Sequence, residues 1–272
     1  MGTLYLVGTP IGNLEDITLR ALRILREVDL IAAEDTRTAH RLLSHYNIEK
    51  PVTSFFAGNE HRKKAALLAA LERGDVALIS EAGMPAISDP GYLLVRAALD
   101  EGVPVVAVPG PSAHTAALVV SGLPSDRFLF LGFLPRRGGD RRDLLAQVAP
   151  LPMTLVLYEA PHRLEATLRD LLRALGDRPV ALCRELTKLH EEVWRGTLST
   201  ALARLESHPP RGEFTLVVGG AEDRPRWEEA EVRAALAELR AQGMSRSQAA
   251  REVAARSGWP RRQIYALDET ER

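Results

Sequence analysis

One local pattern recurs three times in the first half of this chain and limits what it can fold into. A short apolar run is followed by a loop of glycine, proline and small polar residues, and then by a helix-like run. Leu4-Tyr5-Leu6-Val7 leads into Gly8-Thr9-Pro10-Ile11-Gly12-Asn13-Leu14. The run at 75–79 leads into Ser80-Glu81-Ala82-Gly83-Met84-Pro85-Ala86-Ile87-Ser88-Asp89-Pro90-Gly91 and a helical stretch at 92–100. A third loop, Val108-Pro109-Gly110-Pro111-Ser112-Ala113-His114, opens another helix. Short apolar strands alternating with helices predict a mainly parallel sheet covered on both faces. Ligands of such sheets bind outside the carboxyl ends of the strands, so three loops of one kind predict one cleft.

The remaining chain extends this plan. A further strand is expected at 30–33. Helices are expected at 16–27, where Ile17, Leu19, Leu22, Leu25 and Val28 form a stripe, and at 60–73. Composition shifts at Leu134-Pro135-Arg136-Arg137-Gly138-Gly139-Asp140-Arg141-Arg142, read here as a linker between an N-terminal α/β domain (1–134) and a second α/β domain (135–222). The second domain carries strands at 154–158, 180–184, 193–197 and 214–218 and a long helix at 163–175. This spacing predicts antiparallel pairing. A helical third domain, resembling a helix-turn-helix, is expected over 223–272.

Composition excludes several classes. The net charge is −1 over 272 residues, so any nucleic-acid contact must come from local basic patches. One patch lies at 242–265, where five arginines face one acid, Glu252. The single cysteine, Cys183, precludes an internal disulfide and reads as a small buried hydrophobe. No apolar run approaches the roughly 20 residues of a membrane helix, and no secretory signal is visible. A cytoplasmic protein that does not enter the membrane is expected.

The motifs admit two readings each. The Gly8–Gly12 spacing is not a dinucleotide fingerprint, and there is no Walker A loop. Glu34-Asp35-Thr36-Arg37 either caps the next helix or places acid/base groups in the cleft. Asp89-Pro90-Gly91 can be a helix start. The run from Arg184 to Glu192 lacks the HExxH spacing, and no metal is expected.

Taken together, the runs GTPIGNL, EDTR, AISDPG, GPSA, GFLP, YEAPHRL and RELTKLHEE, in this order, resemble the bacterial ribosomal small-subunit methyltransferase I family. These are 16S rRNA (cytidine-2′-O)-methyltransferases within the tetrapyrrole-methylase superfamily. The resemblance covers about residues 4–220 and extends to the helical tail. It implies two α/β domains with S-adenosyl-L-methionine (AdoMet) in the cleft between them, a homodimer, and a cytidine ribose in the decoding region of 16S rRNA, within the 30S subunit, as substrate. The positions matching the family's cofactor loops are Pro10; Gly83, Met84, Pro85 and Ile87; Ser112 and Ala113; and Tyr158. One departure stands out. Glu81-Ala82-Gly83-Met84-Pro85 replaces the common Asp-Ala-Gly-Thr-Pro, which removes a hydroxyl at Met84.

For 2′-O-methylation a general base is useful, and Glu34, Asp35, Asp89 and Glu192 are the candidates. Lys188 either stabilises the developing alkoxide or, if desolvated, acts as base. The RNA contacts expected are Arg37, Arg136, Arg137, Arg141 and Arg142, with Arg246, Arg261 and Arg262 in the tail. The competing readings are a precorrin-type C-methyltransferase on the same fold and a non-catalytic RNA-binding ribosome-assembly factor.

Overall fold

The computed structural model describes residues 1–221 and 227–267; the expected boundary at 222/223 and the end of the third domain, 268–272, lie outside the described residues. The chain divides into two compact units, residues 1–221 and 222–272.

The first unit opens with a five-stranded sheet. Its strands are β1 (Leu4–Val7), β2 (Leu30–Ala33), β3 (Val52–Ser54), β4 (Val76–Ile79) and β5 (Val105–Val108), in the order β3-β2-β4-β1-β5, all parallel. The crossovers contain α1 (Leu19–Glu27), α2 (Thr36–His45), α3 (Glu60–Leu71) and α4 (Tyr92–Asp100). Ile24, Leu25, Leu42 and Leu43 of α1 and α2 cluster with Ile31, Ala33 and Ile79. Leu67, Leu71, Leu94 and Ala98 of α3 and α4 cluster with Leu4, Ala32, Val76 and Leu78. The strands are therefore apolar on both faces, as a covered parallel sheet requires. The first helix starts later than its stripe predicts. Residues 14–16 form a 3-10 turn, and Thr18 caps α1 by accepting the Ala21 N–H. Leu19 consequently falls on the outer face and is 86% exposed.

The second sheet consists of β6 (Phe128–Phe133), β7 (Thr154–Glu159), β8 (Pro179–Arg184), β9 (Glu192–Thr197) and β10 (Phe214–Val218), in the order β6-β7-β10-β8-β9. The β6/β7 pair is parallel and the others are antiparallel. The expected linker at 134–142 is corrected here. β6 already belongs to the second sheet, and residues from Gly138 onward begin α6 (Gly138–Val148), which buries Leu145 and Val148. The arginines and glycines of that stretch are the exposed start of a helix, and the passage between sheets precedes Phe128. With α6, the helices α7 (Pro161–Leu175) and α8 (Leu198–Ser207) cover one face, where Leu164, Leu168 and Leu198 meet Leu155, Leu182 and Leu216.

The other face of this sheet is covered by α5 (Ala113–Ser121), although α5 follows a strand of the first sheet. Its Ala117 and Leu118 cluster with Val156, Ala181, Cys183 and Val217, and with Ile11 from the loop after β1. This packing ties the two sheets together and holds the loops after β1 and β5 against the second sheet.

The second unit has its own core. Val232, Leu236, Val253 and Ile264 join α9 (Glu229–Ala241), α10 (Arg246–Ser257) and α11 (Arg261–Leu267). Ser245 and Gln248 form a capping box at the start of α10, and Gly258 ends it with a φ of +70°, the left-handed conformation that favours glycine. Among the described residues no helix is long and apolar enough to cross a membrane.

Candidate active site

The carboxyl-end loops of the first sheet face the ends of β6, β7 and β8 and the start of β10 across a cleft of about 370 Å³. The first sheet contributes Ile11 after β1, Glu34 after β2, Gly83, Met84, Ile87 and Asp89 after β4, and Ser112 to His114 after β5. The second contributes Phe133, Tyr158, Cys183, Leu186, Lys188 and Thr215. The three glycine- and proline-rich loops do converge on one cleft.

Close backbone packing shapes the first-sheet side. Thr9 N–H donates to the Gly83 carbonyl at 2.9 Å, and Gly83 N–H donates to the Thr9 carbonyl at 3.0 Å. A Cβ on Gly8 would lie 2.8 Å from both Gly110 Cα and Met84 Sδ. Gly83 has a φ of +80°. Five non-glycine residues among those described have positive φ, and four of them sit in two loops bordering the cleft: Ala86 and Ser88 after β4, Glu185 and Thr187 after β8. Each such residue costs about 1–3 kcal/mol, and strain of this kind concentrates where geometry serves a ligand. Asp89 is not a helix cap. Gly91, with a φ of +140°, holds the N-cap position of α4, and Asp89 lines the cleft instead.

The charged candidates separate clearly. Burial raises the Glu34 carboxyl, and the nearby Asp89 charge adds to the effect. Burial likewise raises Asp89, with a Ser80 hydrogen bond opposing and Glu81 adding. Asp35 behaves differently. It caps α2, accepting the Arg37 N–H at 2.7 Å, and pairs with the Arg37 guanidinium at 2.7 Å. Its hydrogen bonds from the Arg37 side chain and backbone push it down to about 2, which makes it a weak base. It does not line the cleft. Glu192 does not either. It lies on β9 between Arg184 Nε, 3.3 Å away, and the guanidinium of Arg204. Burial pulls on the Lys188 ammonium, but Glu213 at 2.9 Å and Glu185 at 3.0 Å outweigh it and hold the ammonium above its usual range. Lys188 is therefore a fixed positive charge and not a base.

Of the expected cofactor residues, Gly83, Met84, Ile87, Ser112, Ala113 and Tyr158 line the cleft. Pro10 and Pro85 do not: Pro10 lies between bridged Thr9 and cleft-lining Ile11, and Pro85 is buried within its loop. Sequence reasoning missed His114, Phe133, Leu186 and Thr215. His114 Nδ1 is 3.0 Å from Ser112 Oγ and 3.1 Å from the Tyr158 hydroxyl. Burial lowers its affinity for a proton, and burial also raises the Tyr158 hydroxyl. Its place one residue past the GPSA run was the available signal. Thr215 sits in the otherwise apolar β10 and gave none.

The arginines also divide. Arg37, Arg136, Arg137 and Arg142 are exposed. Arg141 is not available for RNA in the same way: its guanidinium pairs with Asp170 at 2.5 Å and donates to the Pro135 carbonyl at 3.2 Å, which docks α6 on α7. In the tail, Arg246 donates to the Tyr265 carbonyl at 2.6 Å and stacks on its ring, and Arg261 donates to Ser247 Oγ at 2.8 Å. Both tie α10 to α11. Arg262 is exposed.

Residues 3–202 match the Tetrapyrrole (Corrin/Porphyrin) Methylases family, and residues 228–268 match the RsmI C-terminal HTH domain. The ribosomal RNA small subunit methyltransferase I of Synechocystis sp. is 51% identical over 271 residues, 98% of this chain and 97% of the relative. That of Thermotoga maritima is 52% identical over 223 residues, covering 82% of this chain and 100% of the relative. The chain belongs to the ribosomal RNA small subunit methyltransferase I family. Among solved structures, uroporphyrin III C-methyltransferase from Thermus thermophilus aligns with a TM-score of 0.58 at 26% identity, covering 80% of this chain and 97% of that one.

Members of the small-subunit methyltransferase I family use AdoMet, and this cleft suits it. Its size falls in the range of small-ligand sites. Ile11, Ile87 and Leu186 offer apolar wall for an adenine, and the Thr9/Gly83 and Gly8/Gly110 approaches shape a backbone cradle. The carboxylates of Glu34 and Asp89 complement a ligand that carries a sulfonium and an ammonium.

Proposed function

We propose that this chain methylates the 2′-hydroxyl of a cytidine ribose in 16S rRNA of the small ribosomal subunit. One juxtaposition carries the mechanism: carboxylates with raised proton affinity and a fixed lysine charge border the same cradle. The relatives are ribosomal RNA small subunit methyltransferases, which supports small-subunit rRNA as the substrate, and the cytidine ribose follows from the family resemblance. When bound, AdoMet supplies a methyl group on a sulfonium, whose leaving thioether needs no acid. The first-sheet loops orient it, and alignment supplies much of the rate. Asp89 or Glu34 accepts the ribose hydroxyl proton, a role worth about 10²–10⁴-fold. Lys188 stabilises the negative charge that develops on the oxygen.

The three-part division belongs to this reading. The N-terminal α/β half holds the methyl donor, and the second α/β half presents the acceptor. The helical tail, together with exposed Arg37, Arg136, Arg137 and Arg142, adds affinity for RNA. Action on the 30S particle, in the cytoplasm and as a homodimer, completes it.

The test is to incubate the full-length protein and labelled AdoMet with 30S subunits from cells lacking this activity. The label should enter one cytidine ribose, detected as a site resistant to alkaline cleavage. Label on a base, or label on uroporphyrinogen in place of RNA, would refute the assignment. The solved uroporphyrin III methyltransferase makes the second outcome the natural competitor.

A further inference from the structure

A second cavity, of about 840 Å³, adjoins the cleft and shares Phe133 and Ala160 with it. It is built from the GFLP and YEAPHRL runs, whose Leu134, His162 and Arg163 line it together with Arg136, the residue after GFLP. The local structure turns Phe133 toward this junction. A bulge interrupts the β6/β7 register between Phe130 and Gly132, so that Phe130 pairs with Val156 and Phe133 with Tyr158. Val156 and Tyr158 are two apart and share a face, so Phe130 and Phe133 share it too, although three apart. Gly132 makes the bulge possible with a φ of +60°. The result is a row of rings: His114 on Phe130 at 4.5 Å, Phe130 on Tyr158 at 5.0 Å, and Tyr158 on Phe133 at 5.6 Å. Phe133 ends the row with 54% of its surface exposed.

The charges sort in the same direction. Arg163 is held by Glu159 at 3.4 Å and by the Leu134 carbonyl at 2.8 Å, and Arg141 by Asp170. Those two are scaffold. Arg136 and His162 are exposed on the cavity wall.

We propose that this junction holds the nucleotide adjacent to the one methylated, its base laid on Phe133 and its phosphate near Arg136 and His162. The proposal rests on the RNA-methyltransferase reading above. A ribose hydroxyl brought into the cleft requires its nucleotide to leave the stack, which exposes the neighbouring base. Single-stranded bases are held by stacking on aromatic rings, and their phosphates by basic side chains.

The experiment uses the full-length protein, labelled AdoMet and 30S subunits lacking the methyl group. Phe133→Leu and Phe133→Ala should raise KM for the particle by about 5- to 150-fold, the range of one base stack. Phe133→Trp should stay within about 3-fold of wild type, and AdoMet affinity should stay within the same margin in all three, taking that margin as well below one stack. Arg136→Gln should make the log–log salt slope of particle binding shallower by about 0.7, the single-strand value for one phosphate. Wild-type KM in Phe133→Leu would overturn the stacking role, because leucine keeps the apolar wall and removes only the ring. Parallel loss of AdoMet and RNA affinity would overturn it too, and an unchanged slope in Arg136→Gln would overturn the phosphate contact. A wild-type protein that transfers no methyl group to the particle would instead bring down the parent reading, and this proposal with it.

Discussion

The two walls of the cleft are made of different material. The first sheet presents mostly backbone: a Thr9/Gly83 bridge, glycines in contact at Gly8 and Gly110, and a loop after β4 with left-handed Ala86 and Ser88. The second sheet presents side chains at its strand ends: Phe133, Tyr158, Lys188 and Thr215. Backbone shape tolerates little substitution and suits a ligand that never changes, the methyl donor. Side chains can be exchanged singly, which suits the recognition of one acceptor. The sheets themselves agree with this division. An all-parallel sheet ends every strand at the same edge and so gathers several loops there. The mixed sheet brings only β6, β7 and β8 to the cleft by their carboxyl ends and β10 by its start.

The sharpest way to break this comparison is to add a side chain where two backbones meet. Gly8→Val would place its Cβ 2.8 Å from Gly110 Cα and Met84 Sδ. Neither backbone can move without shifting β1 or β5. We expect AdoMet binding to be lost, with a stability cost of about 1–3 kcal/mol from overpacking. Gly83→Ala is the milder companion. Its Cβ would meet only Ile11 and the Pro111 carbonyl, both at an ordinary 3.5 Å, so its cost is confined to the φ of +80° and should be about 1–2 kcal/mol. Calorimetric titration with AdoMet and thermal melts check both. Undiminished AdoMet affinity in a folded Gly8→Val protein would show that the backbone wall is not the cofactor wall.

The backbone wall was legible in the sequence because glycine and proline mark it directly. The runs after β1, β4 and β5 could be placed without knowing any contact. Glu34 and Asp89 were legible only as possibilities, since a carboxylate next to a helix start serves equally as a cap. The structure makes Asp35 the cap and turns Glu34 to the cleft, and Gly91 frees Asp89 from the capping position. The side-chain wall was harder to read. Phe133 reaches the cleft through a bulge, which destroys the alternation that would have marked β6 as a strand. Glu192 belongs to the same run as Lys188, but β9 carries it to a separate arginine pair. Arginine-rich 134–142 read as a linker because its apolar anchors, Leu145 and Val148, lie beyond the stretch.

Chemistry should fall between the two walls, and Asp89 tests it from the donor side. Asp89→Asn should lower the single-turnover methyl-transfer rate by about 10²–10⁴-fold at saturating AdoMet and 30S subunits, if Asp89 rather than Glu34 takes the proton. Cofactor affinity should fall by less than the rate, because Glu34 keeps one carboxylate beside the cofactor's positive groups. Stability should respond in the opposite sense. Because folding raises the Asp89 carboxyl, the native state holds its proton more tightly than the unfolded chain. Wild-type stability is therefore lost as pH rises from the unfolded carboxyl range through the raised native one. Asparagine carries no such titration, so the variant should gain in Tm relative to wild type between acid and neutral pH. The wild-type rate should rise over the same window as the base loses its proton. A wild-type rate in Asp89→Asn would pass the role to Glu34.

If the walls account for cofactor and chemistry, the second unit is left with affinity alone, and the expected effect there is the smallest. Ending the chain after Ala221 keeps the whole of the first compact unit. AdoMet affinity should be unchanged. The basic stretch at 242–265 suggests several phosphate contacts, but the structure reduces that number. Arg246 and Arg261 are committed to Tyr265 and Ser247, and Arg256 lies over the Trp227 ring at 5.3 Å. Arg251 and Arg262 remain exposed. Two phosphates neutralised would make the log–log salt slope of 30S binding shallower by about 1.4–1.8 units on truncation. Binding measured at several salt concentrations decides the matter. An unchanged slope and affinity would assign the tail to something other than RNA. A fall in AdoMet affinity would be more damaging, because the donor site would then need more than the two walls that line it.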